Sequence, residues 1–286
     1  MRGDIMPTLI RLTPQDSINR ALAALPETGD VQILLAAGVY REKVELLRDN
    51  VELCGAGRDK TRIVFGDGAK EILPDGFKRG TFRTATLRTD GAHIRLRNLT
   101  IENDAAPRET VGQAIALYAD GEDLLVEDCA LLGRQDTLFT APLPEKEIEP
   151  RGFVGPKESA PRVPQRHIYR RCVIRGDIDF IFGGADARFE DCDIVSIDGR
   201  TKRDEPYVGY VCAPSTPKGQ KNGYVFARCR FIGDGVPAHS VYLARPWRDY
   251  AKARFVGCEI GGHVAPERFD DWNKPQTHET AEFSVE

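Results

Sequence analysis

The chain is poor in histidine, tryptophan and methionine, and its charge is too nearly balanced to name a partner. Five histidines are scattered along 286 residues, and no Cys/His cluster has the spacing of metal ligands. Neither a metal nor a cofactor is therefore expected. Seven cysteines make an odd set without a C-x-x-C pair, which argues against a disulfide framework. A formal net charge of −4 gives no support for nucleic-acid binding. It would also repel a polyanion unless the ligand's charges were masked or met locally by arginines. No apolar run is long enough to span a bilayer, so no membrane partner is expected. The start, Met1-Arg2-Gly3-Asp4-Ile5-Met6-Pro7, lacks the apolar run of a signal peptide and points to the cytoplasm. A secreted or periplasmic chain trimmed of its leader would read the same. No G-x-S-x-G motif occurs, which excludes the nucleophile elbow of a serine hydrolase.

What the chain does have is a recurring segment. Arg95-Leu96-Arg97-Asn98-Leu99-Thr100-Ile101 and Leu125-Val126-Glu127-Asp128-Cys129-Ala130-Leu131 are two instances. Ile168-Tyr169-Arg170-Arg171-Cys172-Val173-Ile174 and Arg188-Phe189-Glu190-Asp191-Cys192-Asp193-Ile194 follow. Val225-Phe226-Ala227-Arg228-Cys229-Arg230-Phe231 and Arg254-Phe255-Val256-Gly257-Cys258-Glu259-Ile260 close the series. Each reads as a short alternating strand, a Cys or Asn, then another apolar pair. Cys172 and Cys192 are 20 residues apart, and the other intervals are longer by variable amounts. Self-similarity at about 20–50 residues signals a solenoid or a propeller, and propeller blades should recur at a steadier spacing of about 40–50. An ordinary β-sandwich would owe the likeness to accident. The pattern predicts an all-β, right-handed parallel β-helix with loops of unequal length, its cysteines stacked in a ladder.

With 41 % apolar residues the chain can bury one large core, and residues 1–286 are expected to form a single domain. Thr13-Pro14-Gln15-Asp16-Ser17-Ile18 followed by Ala21-Leu22-Ala23-Ala24-Leu25 predicts a short capping helix over the open N-terminal end. Ala141 to Pro164 interrupts the Cys129–Cys172 interval with Pro, Glu, Lys and Arg. It reads as an inserted surface loop at 141–164.

Asp136 and Asp179 each lie seven residues after a cysteine, Cys129 and Cys172. If those cysteines are equivalent, the aspartates stand on neighbouring strands, which pair at about 4.7–4.9 Å. Like charges that close do not both ionise easily, so one pKa should rise. Asp179-Phe180-Ile181-Phe182 also embeds a carboxylate in an apolar strand, which is costly unless the charge is paired or hydrogen-bonded. Either aspartate alone would read as well as a structural residue capping a turn. Two at one offset point to an acid beside a carboxylate.

Gln135 precedes Asp136, and Gln113 opens a small apolar strand upstream, although a lone Gln is more often a ladder or surface residue. Arg245 and Trp247 stand two apart, hence on one side of an extended strand. That suits a carboxylate partner plus a sugar-stacking face; a surface Arg-Pro-Trp turn would look alike.

Five segments in order carry a resemblance: Gly38-Val39-Tyr40-Arg41-Glu42, Gln113-Ala114-Ile115-Ala116-Leu117, Gln135-Asp136-Thr137-Leu138, Asp179-Phe180-Ile181-Phe182-Gly183 and Leu243-Ala244-Arg245-Pro246-Trp247. Gly209-Tyr210-Val211-Cys212 and the Trp272-Asn273 region add to it. The chain resembles the pectin methylesterases (pectinesterases) of bacterial type, a right-handed parallel β-helix family. The resemblance implies that Asp179 is the nucleophile, Asp136 the general acid and then base, and Arg245 the partner of Asp179. It implies an oxyanion hole from Gln113 and Gln135. The reaction implied is hydrolysis of C6 methyl esters of galacturonate units in pectin or short oligogalacturonides, through an acyl-enzyme and with release of methanol. Trp247, Phe182, Phe139, Thr81 and Arg200 resemble residues that line the family's cleft, Arg200 as a contact for a neighbouring free carboxylate. Phe139 stands where many members carry Tyr. Seven reduced-looking cysteines and no leader depart from the secreted members and suggest an intracellular enzyme for short imported oligomers; a monomer is expected.

Two other classes compete. A non-catalytic β-helical carbohydrate-binding homologue would keep the scaffold, although all five catalytic residue types are present. A pectate lyase would need an acidic calcium cluster with a basic proton abstractor, and a polygalacturonase three carboxylates and a His. Neither set is found.

Overall fold

Six successive coils turn a corner at one residue with a left-handed backbone. In the computed structural model, which describes residues 7–26, 28–201 and 206–286, these are Asn98, Asp128, Arg171, Asp191, Arg228 and Gly257, with φ between 51° and 59°. Left-handed backbone costs an L-residue about 1–2 kcal/mol, and Asn, Asp and Gly bear it best. The two arginines are the exceptions, and each forks onto the corner of the preceding coil. Arg171 reaches Asp128 at 2.9 and 2.7 Å, and Arg228 reaches Asp191 at 2.8 and 2.8 Å. Exposed pairs of this kind are worth at most about 1 kcal/mol each, a partial offset to the strain. Asn98 falls at this corner, so Leu99 rather than Asn98 takes the place that the cysteines occupy in later coils.

Corners at a fixed register stack the chain into three sheets of ten, seven and eight strands among the described residues. Strands pair in parallel from coil to coil, as in Leu125↔Ile168, Leu131↔Ile174 and Leu138↔Ile181. This is the expected right-handed parallel β-helix. The cysteine ladder also forms. Cys129, Cys172, Cys192, Cys229 and Cys258 each direct Sγ at a carbonyl of the coil before, at 3.4–3.5 Å. All seven thiols are unpaired, and burial pushes that of Cys129 up to about 12, which makes it unreactive.

The core changes character along the axis. Ile33, Leu53, Leu96 and Val126 are successive register partners and aliphatic. Tyr169, Phe189, Phe226 and Phe255 continue the same row as stacked rings 4.5–4.9 Å apart. Such pairs add about 0.5–1.5 kcal/mol each beyond the area they bury. At the N-terminal end the helix Ile18–Ala23 is capped by Ser17, whose Oγ accepts from the Arg20 N–H at 3.1 Å. Its Ile18 is fully buried in the main core, and the helix packs against the strand Val44–Leu46.

Residues 141–164 hold no strand, as a loop should. They are not purely surface, however. Ala141, Leu143 and Phe153 are buried, because this segment covers an apolar outer face of the seven-stranded sheet.

Candidate active site

Successive residues of a strand point to opposite faces, and the seven-stranded sheet uses both. Leu117, Leu138, Ile181 and Cys212 enter the main core, while Tyr118, Phe139, Phe182 and Ala213 form the outer face. Leu138 and Ile181 are register partners, and two residues before each stand Asp136 and Asp179. Both aspartates have left-handed backbones, φ 64° and 48°, and both are buried, 8 % and 7 % exposed. The Asp136 N–H donates to the Ile178 carbonyl at 3.1 Å, which ties the two coils at this level. Against the strand Gly209–Pro214 the register slips between Ile178 and Ile181, and a bulge of this kind re-aims the side chain it carries.

Arg245 makes the two acids unequal. Its Nε donates to Asp179 Oδ1 at 2.8 Å and its Nη2 to Oδ2 at 2.6 Å. The guanidinium is clamped between Tyr210 and Trp272, 3.7 Å from each ring centroid. Fork and flat stacking together are specific to arginine. The Asp136 carboxyl has no hydrogen-bonding side chain among the described residues.

Burial is the largest influence on both carboxyls and pushes both up. Asp179 is pulled back by Arg245 and, more weakly, by Lys274. Asp136 is driven well above the usual carboxylate range by burial and then by the charge of Asp179. Asp179 therefore ionises first and Asp136 keeps the proton. The net direction on Asp179 is still upward, because loss of solvent outweighs the pull of its partner.

A third carboxyl lies close by. Asp177 is fully buried and pushed up to about 6, mainly by burial, with Arg108 Nε 2.9 Å away opposing. It adds to the rise at Asp136. Sequence reasoning passed over it, although Asp177-Ile178-Asp179 sets two carboxylates either side of one apolar residue.

Gln113 and Gln135 are half-buried on adjacent coils, linked by the Ala114 N–H donating to the Gln135 carbonyl at 3.1 Å. Neither side-chain amide has a partner among the described residues. Trp247 is half-buried and meets Phe182 edge-on at 5.6 Å, and Phe182 itself is 4 % exposed. Thr81 opens the turn Thr81–Arg83 and lines a cavity with Gln113.

Two of the outer residues already have protein partners of their own. Phe139 is fully buried under Phe82 and Phe182, at 5.0 and 5.1 Å, so it supports the cleft and presents no surface to a ligand. A tyrosine hydroxyl would find no water there. Arg200 is already forked onto Asp198 at 2.9 and 2.8 Å and lies 5.1 Å over the Tyr207 ring. Among the described residues no group of three His, Cys, Asp or Glu is placed to hold a metal ion.

The Pectinesterase family model matches residues 13–143 and 160–284. A pectinesterase of Petunia integrifolia is 29 % identical over 266 residues, covering 90 % of this chain and 62 % of that protein. The chain spans about half the length of the curated relatives it matches. Pectin methylesterase PemA from Erwinia chrysanthemi superimposes with a TM-score of 0.76 at 27 % identity, covering 92 % of this chain and 81 % of that one. A pectin methylesterase crystallised in complex with a hexasaccharide superimposes at 0.77 and 25 % identity, covering 99 % and 90 %. Paired acids on a parallel β-helix and a match over nearly the whole length agree: this chain belongs to the pectinesterase family.

Proposed function

We propose that this protein removes methyl groups from C6-esterified galacturonate units of pectin or its oligomers and releases methanol. The observation that carries the reading is the inequality of two equivalent acids, with only Asp179 held by a guanidinium. Family membership and the hexasaccharide complex of a similar pectin methylesterase support the substrate class.

The ionised Asp179 attacks the ester carbonyl carbon, and the carbonyl electron pair moves onto oxygen. The unbonded amides of Gln113 and Gln135 donate to that oxyanion, and one such donor is worth roughly 3–4 kcal/mol. Collapse expels the methoxy group, which takes the proton of Asp136 and departs as methanol. The acyl-enzyme that remains is a mixed anhydride. Asp136, now a carboxylate, removes a proton from water as the hydroxide bonds to the sugar acyl carbon; the anhydride C–O bond breaks, freeing the Asp179 carboxylate and the sugar carboxylic acid, which gives its proton to solvent. Both aspartates end as they began. Arg245 keeps the Asp179 oxygens aimed and charged between turnovers, and Trp247 offers a face to the sugar ring.

The test is methanol release from polymeric pectin and from methylated di- and trigalacturonate. Methanol with saturated products is expected. Unsaturated products would identify a lyase instead, and sugar binding without methanol a non-catalytic relative.

A further inference from the structure

Asp177 immediately precedes the strand Ile178–Gly183 that carries Asp179, and being fully buried it meets no substrate. Its Oδ1 accepts from the Ile178 N–H at 2.8 Å. Its Oδ2 stands 2.9 Å from Arg108 Nε, and neither atom has another partner among the described residues. Gly199 makes room for the carboxyl, since a Cβ there would lie 2.3 Å from Oδ2. Burying a charge is costly unless it is paired. The pairs that Asp177 makes both lead to the amides assigned to the oxyanion.

Arg108 opens the helix Arg108–Val111, which ends at Gly112 and hands on to Gln113. A four-residue helix without a side-chain cap has little stability of its own, because fixing a first turn costs more order than its hydrogen bonds return. Glu109 ties it by accepting from the Thr201 N–H at 2.7 Å, but that contact is exposed. The buried tie is the one from Arg108 to Asp177. The Gly112 N–H donates to the Arg108 carbonyl at 2.8 Å, so the residue before Gln113 is fixed by the residue that Asp177 holds. Arg134 completes the arrangement on the neighbouring coil. It directly precedes Gln135, its carbonyl accepts from the Asp177 N–H at 3.3 Å, and its positive charge helps keep Asp177 ionised. Its Nη1 donates to the Ala105 carbonyl at 3.3 Å, at the start of the segment that leads to Gln113. With no hydrogen bond of its own to aim it, each glutamine amide points where the backbone beneath it is held.

We propose that Asp177 is a positioning residue for the reaction: through Arg108 on one side and Arg134 on the other, it fixes the two segments that carry Gln113 and Gln135. The proposal rests on the esterase reading and its oxyanion hole, and it adds a third aspartate that never touches the ester.

Asp177→Asn keeps the shape and the Ile178 contact but removes the charge that holds Arg108. The kcat for methanol release should fall about 10- to 100-fold with KM within about twofold, the size expected when a donor is displaced by about 1 Å. Arg108→Gln should act in the same direction, so a folding defect peculiar to one variant cannot explain both. Double variants separate positioning from general damage. Added to Gln113→Ala, Asp177→Asn should cost much less than it does in wild type, because the amide it aims is gone. Added to Trp247→Ala, it should cost its full factor. Hydrogen–deuterium exchange at residues 105–113 should speed about tenfold or more in both single variants, while the core strands keep their protection. Unchanged exchange at 105–113 overturns the proposal, as do loss of protection throughout the chain, an unchanged kcat in both variants of an active protein, and costs that add fully with Gln113→Ala. Exchange does not depend on turnover. Wild-type protein that releases no methanol, while 105–113 loosens in both variants, would sink the esterase reading and leave the tie standing.

Discussion

The coil that carries Asp136 and the coil that carries Asp179 hold their aspartates two residues before register partners, with left-handed backbones and nearly equal exposure. Backbone and burial therefore do not distinguish the two acids. What distinguishes them is one side chain arriving from two coils further on, Arg245, which forks onto Asp179 and acts on Asp136 only through its charge, without a hydrogen bond. A repeat can thus supply two copies of one group, and a single non-repeated residue can give them different chemistry.

The strongest way to break the comparison is to remove the charged member. Asp179→Asn should lower methanol release by about 10⁴-fold or more, since Asp136, the acid at the same level, lacks the guanidinium fork that holds Asp179 aimed and ionised. Circular dichroism should report an intact β-helix. Near wild-type turnover would dismiss the assigned role. Asp136→Asn should cost about 10²–10⁴-fold in kcat, the usual range for a lost general acid and base. A variant as fast as wild type would mean that water serves both proton transfers.

Arg245→Lys attacks the asymmetry itself and should cost about 10- to 100-fold, because an ammonium reproduces neither fork nor stacking. It should also reshape the pH profile. Turnover needs Asp179 ionised and Asp136 protonated, so the rate climbs with pH through the first ionisation and falls through the second. Weakening the pull on Asp179 raises its pKa and moves the rising limb to higher pH, narrowing the plateau. A limb that stays put in kcat/KM against pH would show that Arg245 does not set that ionisation.

The smallest effect concerns stability. Asp136 has its pKa raised in the folded state, while an unfolded aspartate titrates near about 3.9. Above that value the native protein holds a proton the unfolded chain has released, so stability falls as pH rises toward the native pKa. Asp136→Asn removes this slope. The variant should melt with wild type near pH 4 and above it at pH 7–8, by roughly 2–4 °C for each kcal/mol relieved. A lower melting temperature at pH 8 would mean that the Asp136 carboxyl stabilises its site.

The equal offset of the two aspartates from Cys129 and Cys172 was legible because period and register are properties of sequence spacing. The ladder was legible for the same reason, apart from Asn98, whose true place is the corner. What spacing could not reveal were contacts between segments without a period. Tyr210 and Trp272 sandwich Arg245 from a strand and a loop far apart in the chain. Asp198 occupies the guanidinium of Arg200, and only local geometry decides that. Phe139 reads as outward-facing from alternation, and so it is. It is buried nonetheless, because Phe82 and the insertion roof it over.

Because each coil closes on its own corner residue, extra length can leave at one rim without disturbing the stacking of its neighbours. The bulky excursion between Leu138–Thr140 and Arg166–Arg170 demonstrates the point: Asp136 and Asp179 still sit at matching heights on either side of it. Closing a longer loop adds little free energy, about 0.6 kcal/mol per doubling. The scaffold consequently separates two design problems. Reaction geometry is fixed by winding, while which sugars gain entry can be rewritten in a detachable rim, one loop at a time.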